Sequence, residues 1–176
     1  KPSKPTTSTK SPSNGDTTRP VSRKRQPQQY VQHTMTALTT EEFITWANRL
    51  TGLPWPMTTK EFATIATSEF GWIIFDGKQV LAITLPNYSE RVFVGKTSEK
   101  EVRKIHFPLA RTKTEDQDAG IELNDLFASY ATVGTENWGN PTKTEHGKEP
   151  LMAWNHPTSC ILQVVRTRSL VLFTFY

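Results

Sequence analysis

The stretch GWIIFDGKQVLAITL, residues 71–85, decides the fold. Two largely apolar runs, 71–75 and 79–85, flank the triplet Asp76-Gly77-Lys78. An Asp-Gly pair between such runs is a strong local signal for a β-hairpin. Neither run alternates strictly between apolar and polar residues, so we expect the hairpin to be central to the core.

Further strands follow on the C-terminal side of this hairpin. Residues 91–94 (RVFV) predict a short third strand, and two longer runs, 160–165 and 169–176, predict two more strands near the end of the chain. The intervening region is less regular. Residues 121–130 are compatible with a helix, and residues 134–150, which hold glycine, proline, asparagine and charged residues, predict a loop.

Two helices are predicted on the N-terminal side, because residues 39–47 and 58–66 match at six of nine positions at an offset of 19. Each segment opens with the Thr-x-x-Glu pattern of a capping box, followed by apolar residues at helical spacing. We therefore expect helices at 40–50 and 59–69. A helix-turn-helix that enters a DNA groove is one interpretation, and a packed helical hairpin is the other. The proline-stiffened connector LPWP, 53–56, and the single cation Lys60 in the second helix favour the packed hairpin.

These patterns predict an α+β fold, in which the helical hairpin packs on a mainly antiparallel sheet. An all-β jelly roll with inserted helices is the alternative. We expect a single globular domain over residues 31–176, preceded by a basic arm at residues 1–30 that is flexible or extended.

The positive charge of the chain is concentrated in this arm. Residues 1–30 hold seven Lys or Arg and one acid, for a net charge of +6, whereas residues 31–176 hold 14 bases and 16 acids, for a net charge of −2. The arm has almost no apolar residues whose burial could offset the entropy of ordering it. Clustered cations suit phosphate neutralisation, and the expected nucleic-acid contacts are Arg19, Arg23, Lys24 and Arg25. An inert linker and a targeting signal are the alternatives.

A second basic patch lies in the body, where Phe93, His106 and Phe107 are interleaved with cations. Aromatic rings beside a cationic groove are typical of proteins that bind single-stranded nucleic acid. The expected phosphate contacts are Arg103, Lys104, Arg111 and Lys113. The alternative is an ordinary charged surface, with Phe93 and Phe107 in the core.

The sequence indicates a protein without catalytic activity. It holds no phosphate-binding loop, no dinucleotide fingerprint and no nucleophile elbow. The four histidines and Cys160 do not stand at metal-ligand spacing, so we expect no metal and no cofactor. No apolar run approaches the length of a membrane span, so we expect no membrane partner.

In its Lys/Arg/Pro/Ser/Thr composition, the segment 1–29, and above all Arg23-Lys24-Arg25, resembles the basic arms of small coat or nucleocapsid proteins of RNA viruses. The resemblance implies an RNA-packaging protein that assembles with copies of itself, in the virion or the host cytoplasm. Many such coat proteins have an eight-stranded jelly roll, and the paired helices at 40–69 depart from that pattern.

Self-assembly needs contact surfaces, and we expect them at Trp55, Trp138 and Trp154, which we expect in loops rich in proline and glycine. The alternative is that these rings cap the edges of the core. Two other functions remain open. The first is a nucleic-acid-binding regulator such as a silencing suppressor, and the second is an interaction module with a linker tail.

Overall fold

The computed structural model describes residues 35–76, 80–84, 88, 90–97 and 99–176. The arm, with Arg19, Arg23, Lys24 and Arg25, lies outside the described residues, and so do Gly77 and Lys78 of the predicted hairpin turn.

The described residues form three helices and nine strands, in this order: β1 (Met35–Ala37), α1 (Thr40–Thr51), α2 (Thr59–Ser68), β2 (Ile73–Asp76), β3 (Val80–Thr84), β4 (Arg91–Lys96), β5 (Val102–Thr112), α3 (Gln117–Trp138), β6 (Lys143–Glu145), β7 (Leu151–Asn155), β8 (Ile161–Arg166) and β9 (Leu170–Phe175).

All the described strands belong to one sheet, with the order β2-β3-β4-β5-β9-β8-β7-β6. The predicted hairpin, β2 and β3, lies at one edge of this sheet, and Ile73 and Phe75 on β2 are exposed, so the expectation that it is central to the core is wrong. The short β1 pairs with the far end of β5, and every pairing is antiparallel. The predicted α+β class, with a helical pair followed by an antiparallel sheet, is confirmed, and the jelly roll is not the architecture of the described residues.

The helices form a single layer against one face of the sheet. Helix α3 packs on β5, β8 and β9, α1 packs on α3, and α2 packs on β2. The core between the layers is strongly aromatic and includes Phe43, Phe62, Trp72, Phe107 and Phe173. No helix in the described part of the chain is long and apolar enough to cross a membrane.

Both predicted capping boxes are present. The Thr39 hydroxyl accepts a hydrogen bond from the Glu42 amide at 3.2 Å, and the Glu42 carboxylate accepts one from the Thr39 amide at 2.8 Å. Thr58 and Glu61 make the same reciprocal pair at the start of α2. These bonds satisfy amide donors that have no partner within a helix, which is why both helices begin where the sequence predicts.

Two buried tyrosine hydroxyls donate hydrogen bonds to backbone carbonyls in or beside β5. The Tyr130 hydroxyl on α3 donates to the Leu38 carbonyl at 2.6 Å and approaches the Leu109 carbonyl at 3.2 Å. The Tyr88 hydroxyl donates to the Pro108 carbonyl at 2.6 Å. Burial raises the pKa of both phenols well above its usual value, so both stay neutral and keep donating.

The predicted helix at 121–130 is present and is longer than predicted. The loop predicted at 134–150 is wrong at 134–138, which belong to this helix, and at 143–145, which form β6. Helix α3 starts after Asp116, whose carboxylate accepts from the Ala119 amide at 2.8 Å, and it runs to Trp138. Gly134 lies inside this helix. A Cβ at this position would lie only 3.0 Å from the Trp138 ring and 3.1 Å from the Trp154 ring. The glycine thus permits a close approach of helix and sheet rather than ending the helix.

We predict that Gly134→Ala destabilises the protein by about 1–3 kcal/mol, because the added methyl group overlaps two tryptophan rings in a packed core. Gly120→Ala in the same helix is the matched control, since its nearest neighbour to a Cβ is the Arg166 side chain at 3.7 Å. That control should be neutral or stabilising by up to about 1 kcal/mol. Urea unfolding of the two variants tests this, and equal effects would contradict it.

Candidate nucleic-acid interface

The side of the sheet opposite the helices has no helix over it in the described part of the chain, and we call it the open face. Residues alternate between the two sides of a strand. On β9, Phe173 lies in the core, whereas Tyr176, which follows the strand, is 42% exposed. Phe93 on β4 is 41% exposed, and Phe75 and Ile73 on β2 are 55% and 61% exposed. Large exposed apolar side chains on one surface are typical of an interaction site.

One cross-strand row of paired positions runs the full width of the open face, from β2 to β6. The register joins, in order, Phe75, Ala82, Phe93, His106, Thr174, Gln163, Ala153 and Lys143. The row begins with the exposed Phe75, and the exposed Phe93 stands two strands further along. Thr174 and Ala153, further along the row, are small and nearly inaccessible.

Two cations lie over aromatic rings of the open face. The Arg91 guanidinium lies 6.0 Å from the centre of the Phe75 ring, and the Lys104 ammonium lies 5.0 Å from the centre of the Tyr176 ring. Such contacts hold a cation beside a ring without neutralising its charge.

The ion pairs of the open face leave these two cations unneutralised. Arg111 is paired with Glu90 at 2.6 Å and Lys143 with Glu145 at 2.6 Å, and the second contact raises the pKa of Lys143. No ion pair within the described residues engages Arg91 or Lys104. The described part of the open face therefore carries two cations without an acidic partner, each beside an exposed aromatic ring.

His106 lies in the middle of the open face, with its Nδ1 atom 3.3 Å from the Thr174 hydroxyl oxygen. Burial lowers the pKa of His106, and the nearby Lys104 charge lowers it further. The imidazole is therefore neutral at neutral pH and gains its charge only in more acidic solution.

The structure brings together only part of the predicted basic patch. Lys104 and Arg111 lie on the open face, but Arg103 points to the opposite side of β5, and Lys113 follows the end of that strand. Phe107 is in the core, as the alternative interpretation has it, whereas Phe93 is exposed. The sequence reasoning missed Phe75 and Tyr176, although the period-two alternation of the last strand was a usable signal.

The three tryptophans predicted to form an assembly interface are packed within the chain. Trp154 lies on β7 and is 1% exposed, and Trp138 ends α3 and packs edge-on against it at 5.3 Å. Trp55 is half-buried between Phe62 and Phe175. The expectation that Trp138 and Trp154 stand in loops is wrong, because a helix and a strand hold them in the core.

Within the described ranges, no three His, Cys, Asp or Glu side chains come together in a group that could hold a metal ion. Cys160 is buried.

A family model described as "Family of unknown function (DUF6301)" matches residues 41–176. This match spans every strand of the sheet except β1 and excludes the arm. No curated protein and no solved structure matches the chain significantly.

We predict that His106 makes the fold less stable in acid. Because its pKa is lowered in the folded state, the unfolded chain takes up its proton first, and stability falls as the pH drops below about 6.5. His106→Gln should remove that contribution, as measured by urea unfolding at pH 7.5 and pH 5. The exposed His146 gives the matched control, since His146→Gln should leave the contribution of His106 in place. An unchanged pH dependence in His106→Gln would contradict the assignment.

Proposed function

The chain belongs to the DUF6301 family, whose description assigns no activity, and we propose that it binds single-stranded nucleic acid, RNA in the first place, through the open face. In this proposal the protein is not an enzyme. It presents a surface on which bases stack and along which phosphates are neutralised.

The observation that carries the proposal is the combination of exposed rings and unpaired cations on one sheet surface. Phe75 and Phe93 stand in the same cross-strand row, two strands apart, which is roughly 10 Å. Arg91 and Lys104 lie beside exposed rings of this surface and have no acidic partner in the described part of the chain. Recognition of single strands commonly combines aromatic side chains, on which bases stack, with cations along the backbone.

The arm adds affinity to this surface. Its net charge of +6 suits salt-dependent contacts with phosphates, for which Arg19, Arg23, Lys24 and Arg25 are the proposed residues. The open face lies in the region that the family shares, and the arm does not. We therefore assign base stacking to the open face and additional phosphate contacts to the arm.

RNA packaging as a coat or nucleocapsid protein is a second proposal, and it requires self-association. The feature that favours it is β2, which ends the described sheet and carries the exposed Ile73 and Phe75. Exposed edge strands with apolar side chains readily pair with a second copy. Self-association of the chain without RNA, abolished by Ile73→Arg, would support this proposal, and a monomer at all concentrations would contradict it.

We predict that Phe93→Ala weakens the binding of a fluorescent single-stranded RNA by about 1–3 kcal/mol, or roughly 5- to 150-fold, because one stacking ring is lost. Lys104→Gln should weaken binding and reduce the slope of log affinity against log salt by about 0.7, the value for one phosphate contact on a single strand.

The matched control for Phe93→Ala is Ile121→Ala, which removes an exposed apolar side chain from α3, on the helical side of the sheet. Fluorescence anisotropy over a range of salt concentrations measures all three variants. Equal affinities for Phe93→Ala and Ile121→Ala would contradict the assignment of the open face.

We predict that deleting residues 1–29 leaves the melting temperature nearly unchanged, because this segment has almost no apolar surface to bury. The same deletion should weaken RNA binding at low salt and flatten its salt dependence. Calorimetry and anisotropy measure the two effects. A binding curve that does not change on deletion would contradict the role of the arm.

A further inference from the structure

A pocket of about 410 Å³ opens beside the open face, at the end where β5 begins and β9 finishes. Its walls come from four parts of the chain: the connector between α1 and α2, the start of β5, the turn before β8, and the end of β9 with Tyr176. Backbone hydrogen bonds join these parts, since the Val102 amide donates to the Met57 carbonyl at 3.0 Å and the Tyr176 amide donates to the Ile161 carbonyl at 3.1 Å. The volume lies within the range of about 300–1,000 Å³ that is usual for small-molecule sites.

Aromatic rings form much of the wall. Trp55 and Phe175 lie with their ring centres 4.9 Å apart, and Tyr176 also lines the pocket. The Trp55 indole nitrogen already donates to the Leu50 carbonyl at 2.6 Å. Its hydrogen-bonding capacity is therefore used within the fold, and what Trp55 offers a ligand is an apolar ring surface.

The charged groups of the pocket are all positive. Arg103 and Lys104 line it, and none of its ten lining residues is acidic. No ion pair in the described part of the chain engages either side chain. Thr158 and Ser159 line the same wall, and the Thr158 hydroxyl oxygen lies 2.8 Å from His156 Nδ1. Cations beside hydroxyl groups, with no competing carboxylate, suit a phosphate, which accepts several charge-assisted hydrogen bonds.

We propose that this pocket binds an aromatic ring that carries a phosphate, as a nucleoside monophosphate does. The ring lies against the aromatic wall, and Arg103 and Lys104 hold the phosphate. Lys104 and Tyr176 belong to both the pocket and the open face. The same site therefore accepts either a free nucleotide or the 5′-phosphorylated end of a strand that lies on the open face. Only the strand-end form rests on the function proposed above.

This assignment gives Arg103 a role that the open face does not. Residues 103 and 104 point to opposite sides of β5, so a flat sheet surface can use only one of them for a strand that crosses it. Both residues nevertheless line the pocket, which lies at the end of the strand.

Isothermal titration of the full chain with adenosine monophosphate, uridine monophosphate, adenosine and inorganic phosphate tests the pocket directly. We expect a mononucleotide to bind at least tenfold more tightly than adenosine or phosphate alone. Arg103→Gln should weaken mononucleotide binding roughly tenfold or more, since it removes a charge-assisted contact. Val102→Trp, which fills the pocket from its half-buried wall, should abolish it.

Lys148→Gln is the matched control, because it removes an exposed cation from the segment between β6 and β7, away from the lining residues. The melting temperature of each variant shows whether it is folded. If Val102→Trp does not fold, Arg103→Gln alone provides the test. If no mononucleotide binds at millimolar concentration, or Arg103→Gln binds as tightly as Lys148→Gln, the proposal is overturned.

Two oligonucleotides show whether the ligand is a free nucleotide or a strand end, and they distinguish failure of the pocket from failure of the open face. An RNA with a 5′-phosphate that binds more tightly than the same RNA with a 5′-hydroxyl identifies the strand end as the ligand. Equal binding of the two RNAs, with mononucleotides still bound, identifies the free nucleotide. Binding of both RNAs without any mononucleotide binding would overturn the pocket and leave the open face standing. Mononucleotide binding without RNA binding would overturn the open face and leave the pocket standing as a site for a free nucleotide.

Discussion

Phe43 is the side chain on which the two layers of this protein depend. Its ring is fully buried on α1 and makes edge-on contacts with Tyr130 at 5.4 Å, Trp138 at 5.7 Å and Phe173 at 5.2 Å. Those three partners come from the middle and the C-terminal end of α3 and from the central strand β9. A buried ring of this size is worth about 3–5 kcal/mol against truncation to alanine. Phe43 thus joins α1, the long helix α3 and the sheet in a single aromatic core.

This one-sided core explains the other side of the sheet. The helices cover one face, so the side chains that point away from them keep the exposure that packing would otherwise remove. An antiparallel sheet with one solvated face usually has polar residues there. Here that face instead carries Phe75, Phe93 and Tyr176, with Arg91 and Lys104 beside them. These rings are exposed to water beside cations that have no acidic partner in the described part of the chain. A partner with planar bases and negative charge would cover both, and this is the basis of the proposed function.

Much of the fold could be predicted from the sequence, because its signals are local. The two capping boxes, the apolar runs on either side of Asp76-Gly77 and the C-terminal strand pair each depend on residues close together in the chain. The extent of α3 could not be predicted in this way. Gly134 lies within the helix at a point where the Trp138 and Trp154 rings leave no room for a side chain. The position of Trp154 depends in turn on the sheet.

The site was less predictable than the fold, for a reason that lies in β5. Lys104 and Arg111 are seven residues apart, so strict alternation would place them on opposite sides of the strand. A bulge between Pro108 and Ala110 adds one residue and returns Arg111 to the side of Lys104. Nothing in the local sequence indicates this shift, whereas Arg103 is separated from Lys104 by simple alternation. A cluster of cations along one strand therefore does not define one surface.

The central claim is that the open face is the surface on which single-stranded nucleic acid lies, and photocrosslinking tests it most directly. The full chain is irradiated in complex with a 4-thiouridine-substituted RNA, and the adducts are mapped by mass spectrometry of the peptides. The account predicts adducts in β2, β4 and the end of β9, at Phe75, Phe93 and Tyr176. Adducts found only on the helices, or only within residues 1–30, would contradict it.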